Sequence, residues 1–230
     1  MKRMIRMTMV VMFVLVAHVA AADPIAWTDW TYADSGTGIA GGVLTPSAAP
    51  LTMVTYTGRF SFAQVMGAGE NYWIPDTPYL SSVVSNAPPG TDIVALDLSS
   101  VGSVNNIHFS APVMDPVMAI VSMGRSYLPV YYDFRQEFSV LSFGPGYWGG
   151  PGTLTNLGGG RLEGIEGHGA IQFHGLVSDI TWTNSPDEYW HGFTVGVPDT
   201  AAPVPEPASL LLFGTGLVGA AGRAWRKRRQ

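Results

Sequence analysis

Short runs of alternating apolar and polar residues, separated by turns rich in glycine and proline, most constrain how this sequence can fold. In the clearest run, the apolar side chains share one face of an extended chain: Val54, Tyr56, Phe60 and Phe62. The intervening positions of the same run are mostly polar. The 28 glycines and 17 prolines among 230 residues disfavour long helices and favour turns. The pattern therefore predicts short β-strands with one buried face.

Ten such runs predict a single domain over residues 23–198. The runs are 25–32, 54–62, 92–98, 104–110, 117–123, 128–134, 137–143, 170–175, 180–183 and 189–197. Turn residues separate them at 87–91, 144–152, 158–160 and 184–186. The run at 117–123 is apolar on both faces, which is typical of a covered central strand. We therefore expect an all-β domain, an antiparallel β-sandwich or jelly roll of about ten strands.

The charge distribution excludes nucleic-acid binding by this domain. Between the basic residues near the two ends of the chain, four arginines face seventeen acidic residues, a formal charge of −13. A nucleic-acid interface needs clustered cations to displace phosphate counterions. The chain also has no cysteine, which excludes disulfides, thiol nucleophiles and cysteine-ligated metals.

The first 22 residues have the three parts of a secretory signal peptide. The basic residues come first: Lys2, Arg3 and Arg6. An apolar stretch, 7–19, follows, and Ala20 and Ala22 supply the small residues that predict cleavage before Asp23. A permanent N-terminal anchor is the alternative, but 13 residues are fewer than the roughly 20 that span a bilayer. We predict a signal helix that is removed on export.

The C-terminal end also consists of three consecutive segments. A linker at 199–207 ends in the motif Val204, Pro205, Glu206 and Pro207. An apolar segment, 208–225, predicts a short transmembrane helix, and residues 226–230 form a basic tail. The cations expected to stop translocation are Arg223, Arg226, Lys227, Arg228 and Arg229. A helix of this length is marginal as a permanent anchor, which suits a signal that is processed.

This C-terminal end resembles the PEP-CTERM sorting domain of Gram-negative bacteria. The resemblance covers about 27 residues: the Val-Pro-Glu-Pro motif, the apolar run after it and the arginine-rich tail. It implies recognition by an exosortase, a membrane enzyme that processes such proteins near Pro-Glu-Pro, and release or display at the cell surface. It also implies a bacterium that makes exopolysaccharide. A plain single-span anchor with an accidental Pro-Glu-Pro is the alternative.

The sequence offers weak signals for metal binding or catalysis. Glu163, Glu166 and His168 lie close together, but their spacing matches no known ligand pattern, and a hairpin turn with solvated polar groups is the simpler interpretation. Residues 184–188 are acidic enough for a calcium loop but lack the alternating acids of an EF-hand. His174 and His191 alternate with apolar neighbours, which predicts an exposed sheet face. We expect no cofactor and no metal.

A pair of acids acting as in a glycosidase is the catalytic alternative. Its candidates are Asp133, Glu137, Glu163, Glu166, Asp179, Asp187 and Glu188. The mechanism needs two carboxylates about 5–10 Å apart across a cleft, and spacing in sequence does not establish that distance. A secreted glycan-active hydrolase therefore stays as the second hypothesis.

Aromatic residues give the more informative signal. Tyr147 and Trp148 lie in a Gly-Pro-rich segment that cannot be a regular strand, so a loop presents these rings as candidate glycan contacts. Trp182 and Trp190 are candidates too, although a small β-sandwich fills its core with aromatic residues. Trp27 and Trp30 lie near the predicted mature N-terminus.

These patterns together predict an exported, monomeric, non-catalytic module at the cell surface or in the extracellular matrix. Its expected partners are the secretion machinery, an exosortase and exopolysaccharide, and it contacts the inner membrane through the C-terminal helix before processing.

Overall fold

Two antiparallel sheets stacked against each other form the protein in the computed structural model, which describes residues 22–97 and 100–199. The all-β prediction is confirmed, and the arrangement is β-sandwich-like. The predicted signal helix at 1–22, apart from Ala22, and the predicted transmembrane helix and tail at 208–230 lie outside the described residues. Within the described ranges, no helix has the length and hydropathy needed to cross a membrane.

The seven-stranded sheet has the order β10–β13–β8–β15–β6–β5, with β1 beside β15. Its strands are β1 (Ile25–Trp27), β5 (Phe62–Gln64), β6 (Ile93–Leu96), β8 (Val117–Met123), β10 (Phe138–Phe143), β13 (Gly167–Phe173) and β15 (His191–Pro198). Because β1 pairs with β15, Ile25 lies opposite Pro198, at the point where the chain leaves the sheet.

The eight-stranded sheet has the order β11–β12–β9–β14–β7–β4–β3–β2. Its strands are β2 (Asp29–Asp34), β3 (Ile39–Leu44), β4 (Thr52–Thr57), β7 (Asn105–Met114), β9 (Val130–Phe134), β11 (Thr153–Gly158), β12 (Arg161–Ile165) and β14 (Leu176–Ser185). A short 3-10 helix, Thr77–Tyr79, lies outside both sheets.

A main apolar core fills the space between the sheets. In β8, Met118 and Ile120 face this core, and Val54 and Tyr56 of β4 face it from the opposite sheet. Aromatic rings occupy its centre, where Trp182 lies with its ring centroid 5.2 Å from that of Phe193. The alternation that the sequence shows is therefore the alternation between core and surface.

A second apolar core covers the outer face of the seven-stranded sheet. Trp73 and Tyr79, from the long connection between β5 and β6, pack there with Ile93. The outward-facing residues of the central strand β8 belong to the same cluster: Val117, Ala119 and Val121. As a result β8, β13 and β15 are buried on both faces, and the predicted covered strand at 117–123 is confirmed.

The prediction of about ten strands is too low, because the described residues contain fifteen. Part of the difference comes from predicted strands that divide between the two sheets. The run 25–32 breaks at Thr28, whose backbone N–H and hydroxyl both donate to the carbonyl of Val195. The run 54–62 breaks after β4 at Gly58, where a Cβ would overlap the Tyr56 hydroxyl and leave no room for a side chain.

The remaining difference comes from strands that the alternation did not indicate. β3 is half glycine and alanine, so it carries little contrast between its faces. β11 and β12 flank the turn at 158–160, which is confirmed, but both are mostly polar or glycine-rich. Each of these three strands buries a single leucine in the core, Leu44, Leu154 or Leu162, which is too little to produce a clear alternation in the sequence.

Replacing Trp182 with alanine should lower the free energy of unfolding by about 3–5 kcal/mol, the range for a large aromatic side chain lost from a core. Trp182 is 1% exposed and contacts four other aromatic rings. The measurement is urea denaturation followed by circular dichroism. Tyr189→Ala is the control, because Tyr189 is 74% exposed and should lose under about 1 kcal/mol. Equal losses in the two variants would contradict this account of the core.

Candidate functional site

Four aromatic rings meet on the surface at one end of the sandwich. Trp148, from the loop between β10 and β11, is 48% exposed and stacks on Tyr72 with ring centroids 5.5 Å apart. The Trp148 ring also contacts Tyr147 at 4.8 Å and Trp190 at 4.9 Å. We call Tyr72, Tyr147, Trp148 and Trp190 the aromatic cluster. The sequence placed Tyr147 and Trp148 in a loop and offered Trp190 as a further candidate, and the fold brings Trp190 and Tyr72 to them.

Tyr72 enters the cluster because its neighbour Trp73 is fixed in the second core. The Trp73 indole is 1% exposed, donates to the carbonyl of Asp92 and packs edge-on against Tyr79. The Tyr72 side chain is then held at the surface beside the β10–β11 loop. Sequence analysis missed Tyr72, although the adjacent pair of aromatics at 72–73 is a signal that one ring is buried and the next is presented.

Trp190 is held by buried polar contacts on both sides of it in sequence. Glu188 is 3% exposed. Its carboxylate accepts one hydrogen bond from the backbone N–H of Gly124 at 2.7 Å and lies 3.1 Å from Nδ1 of His191. These contacts fix the connection between β14 and β15 against the loop after β8. A half-buried Trp190 between two fixed residues has little freedom to move.

A carboxylate borders the cluster. The Tyr147 hydroxyl donates to Oε1 of Glu70 at 3.0 Å. This hydrogen bond, together with desolvation and the nearby negative charge, raises the pKa of Tyr147 above its usual value. The segment that carries Glu70 is itself held, because Gln64 donates to the backbone carbonyl of Glu70 at 3.0 Å. Sequence analysis did not select Glu70, which lies far from Tyr147 along the chain.

His168 lies fully buried next to the cluster, where the sequence predicted a solvated polar group. It is on the outer face of β13, and its ring centroid is 6.4 Å from that of Trp148. Gly146 lies against the ring so closely that a Cβ there would overlap it. Neither ring nitrogen has a hydrogen-bond partner among the described residues. Burial lowers the pKa of His168 to about 4, so the ring is neutral at pH 7.

Two further exposed rings flank an arginine at the same end of the sandwich. The Arg125 guanidinium lies 5.7 Å from the ring centroid of Tyr127 and 5.3 Å from that of Tyr189. Arg125 also donates to the backbone carbonyl of Asp187 at 2.9 Å. The adjacent Ser126 donates through its N–H and its hydroxyl to Glu166, which connects this loop to the turn between β12 and β13.

The other sequence candidates occupy structural positions. Trp27 and Trp30 are 8% and 0% exposed, and Trp30 donates through its indole to the hydroxyl of Thr194. His174 is exposed as predicted, but His191 is buried. The prediction for His191 is wrong because β15 is covered on both faces and the ring is paired with Glu188.

The two candidate metal sites are not assembled. Among residues 22–97 and 100–199, no three acidic or histidine side chains converge as a metal site would require. Glu166 accepts from Ser126 while His168 is buried under the β10–β11 loop. In the candidate calcium loop, Asn184 is buried inside β14 and donates to the hydroxyl of Ser100, so it faces away from a surface turn.

Asp29 and Asp92 form a carboxylate pair that the sequence did not single out. Burial raises the pKa of Asp92, and the nearby Asp29 raises it further, while hydrogen bonds from the backbone N–H groups of Trp30 and Gly67 oppose this change. Both Asp92 oxygens accept those N–H groups at 2.8 Å. The Asp92 carboxylate therefore holds β2 against the segment after β5, so its role is structural.

Comparison with known proteins identifies the C-terminal end. A family model described as the PEP-CTERM protein-sorting motif matches residues 203–229. The chain carries a PEP-CTERM sorting motif. This motif identifies an exported protein that an exosortase sorts to the cell envelope or surface. No curated protein and no solved structure matches the chain significantly.

Lowering the pH should destabilise the domain through His168. The unfolded chain takes up a proton at a histidine pKa near 6.5, whereas the folded protein takes it up only near pH 4. The contribution of His168 is therefore complete above pH 6.5 and is lost as the pH falls to 4, by about 3 kcal/mol. Urea denaturation between pH 7.5 and pH 4 measures the loss.

His168→Phe removes this titration. Between pH 7.5 and pH 4 the variant should therefore lose about 3 kcal/mol less of its free energy of unfolding than the wild type. His174→Gln is the control, because His174 is exposed and should leave the dependence unchanged. A His168→Phe variant that loses stability with pH as steeply as the wild type would disprove the assignment.

Proposed function

We propose that this exported protein is a non-catalytic surface or matrix module that associates with exopolysaccharide through the aromatic cluster. The exposed Trp148 ring, held in place by three other rings, is the observation that supports this most directly. A flat aromatic face binds the apolar face of a sugar ring at little cost in conformational entropy, since the ring is already ordered.

Export by a PEP-CTERM signal supports the same proposal. A sorted protein acts where extracellular polymers are, and the domain needs no cofactor to bind them. We propose that it acts as a monomer whose loops form the contact surface. Two of the acids that the sequence offers for a glycosidase pair, Glu188 and Asp133, have structural partners in the fold.

The mature protein should begin at Asp23 and lack Arg226–Arg229. Intact mass spectrometry of protein from the native host measures both ends. Glu206→Gln changes the Pro-Glu-Pro sequence without altering its length and should yield a species that keeps the basic tail. Glu163→Gln makes the same chemical change inside the domain and should be processed normally. A wild-type surface protein that retains the tail would refute processing.

Trp148→Ala should weaken binding to a neutral polysaccharide while the domain stays folded. Loss of one exposed stacking ring should weaken affinity roughly 2- to 10-fold, on the order of 0.5–1.5 kcal/mol. The measurement is affinity electrophoresis of the exported protein, combined with a melting curve. Tyr127→Ala is the matched control, because Tyr127 is 80% exposed but lies outside the cluster. Absence of retardation for the wild type would refute the glycan proposal.

A further inference from the structure

The aromatic cluster has two sources of negative electrostatic potential, the faces of its rings and a carboxylate. Each aromatic face carries the negative side of its quadrupole, and the Trp148 ring is about half exposed to solvent. The Glu70 carboxylate borders the cluster at Tyr147, whose hydroxyl donates to it at 3.0 Å. An ionised carboxylate has about four acceptor sites, and this hydrogen bond uses one of them. Glu70 is exposed, so its other acceptor sites face solvent.

The charges around the cluster strengthen that potential. Residues 23–199 contain four arginines and sixteen acidic residues, a formal charge of −12. A second carboxylate, Glu166, packs against Gly150 of the loop that carries Trp148. Arg125, which contacts the Asp187 carbonyl and the rings of Tyr127 and Tyr189, places one positive charge at the same end of the sandwich as these two carboxylates. A ligand at the cluster therefore meets excess negative charge.

We propose that the glycan bound at this cluster carries protonated amines, so that it is an amino sugar polymer with free ammonium groups. This inference rests on the proposed function and names its ligand class. The apolar face of the sugar stacks on Trp148, and the ammonium group donates to Glu70. Ammonium groups bind favourably both to aromatic faces and to carboxylates. An acidic polysaccharide meets repulsion at the same surface.

The experiment is isothermal titration calorimetry of the exported protein at pH 6. The probes are three hexasaccharides of equal length: glucosamine with free amines, N-acetylglucosamine and galacturonate. We expect the glucosamine hexamer to bind about 5- to 10-fold more tightly than the N-acetylated hexamer in 20 mM salt, with galacturonate the weakest. In 500 mM salt this preference should fall below about 2-fold, because added salt screens exposed charges.

Glu70→Gln tests the role of the carboxylate. The glutamine oxygen still accepts from the Tyr147 hydroxyl, so the geometry is kept while the charge is removed. We expect this variant to bind both hexamers with nearly equal affinity and to keep the wild-type affinity for the N-acetylated hexamer. The matched control is Glu163→Gln, which removes one charge on β12, in the other sheet, and should keep the preference.

The outcomes separate this inference from the proposed function. Equal binding of glucosamine and N-acetylglucosamine hexamers by the wild type would overturn the amine preference and leave glycan association standing. Binding of none of the three hexamers would count against both. A preference that survives Glu70→Gln unchanged would also overturn the inference, since the carboxylate would then have no part in it.

Discussion

Burial of the outer face of the seven-stranded sheet is the constraint on which the rest of the structure depends. A sandwich of two sheets needs only one buried face per sheet, yet β8, β13 and β15 are buried on both. The connection between β5 and β6 has to cover that second face, and it does so with Trp73 and Tyr79. Since the same segment carries Glu70 and Tyr72, the packing that stabilises the sheet also builds the aromatic cluster.

The cluster is assembled from three connections that are far apart in sequence. The β5–β6 connection is held by the contacts of Trp73, and the β14–β15 connection is held by the buried pair of Glu188 and His191. The β10–β11 loop lies between them over His168, whose ring is neutral at pH 7 and has no hydrogen-bond partner within residues 22–97 and 100–199. Rings presented in this way are ordered before any ligand arrives, so binding loses little side-chain entropy.

The sequence predicts the class of the fold but not how the strands are divided between the two sheets. Alternation over 54–62 correctly places Val54 and Tyr56 in the core, because a period of two depends only on local backbone geometry. It does not show that the chain changes sheets at Gly58, since that change depends on the distant Asn105 and its hydrogen bond with Tyr56. Trp148 is identifiable from its loop, whereas Tyr72 and Glu70 join it only through tertiary packing.

Pairing of β1 with β15 brings the two ends of the described chain together. Ile25 lies opposite Pro198, and Asp199 donates its N–H to the carbonyl of Pro24. The aromatic cluster adjoins His191, at the other end of β15, roughly 23 Å away at about 3.3 Å per residue. The described part of the chain therefore ends, at Asp199, on the side of the sandwich opposite the cluster. A partner that holds the protein near Asp199 is therefore separated from the aromatic rings by the full length of β15.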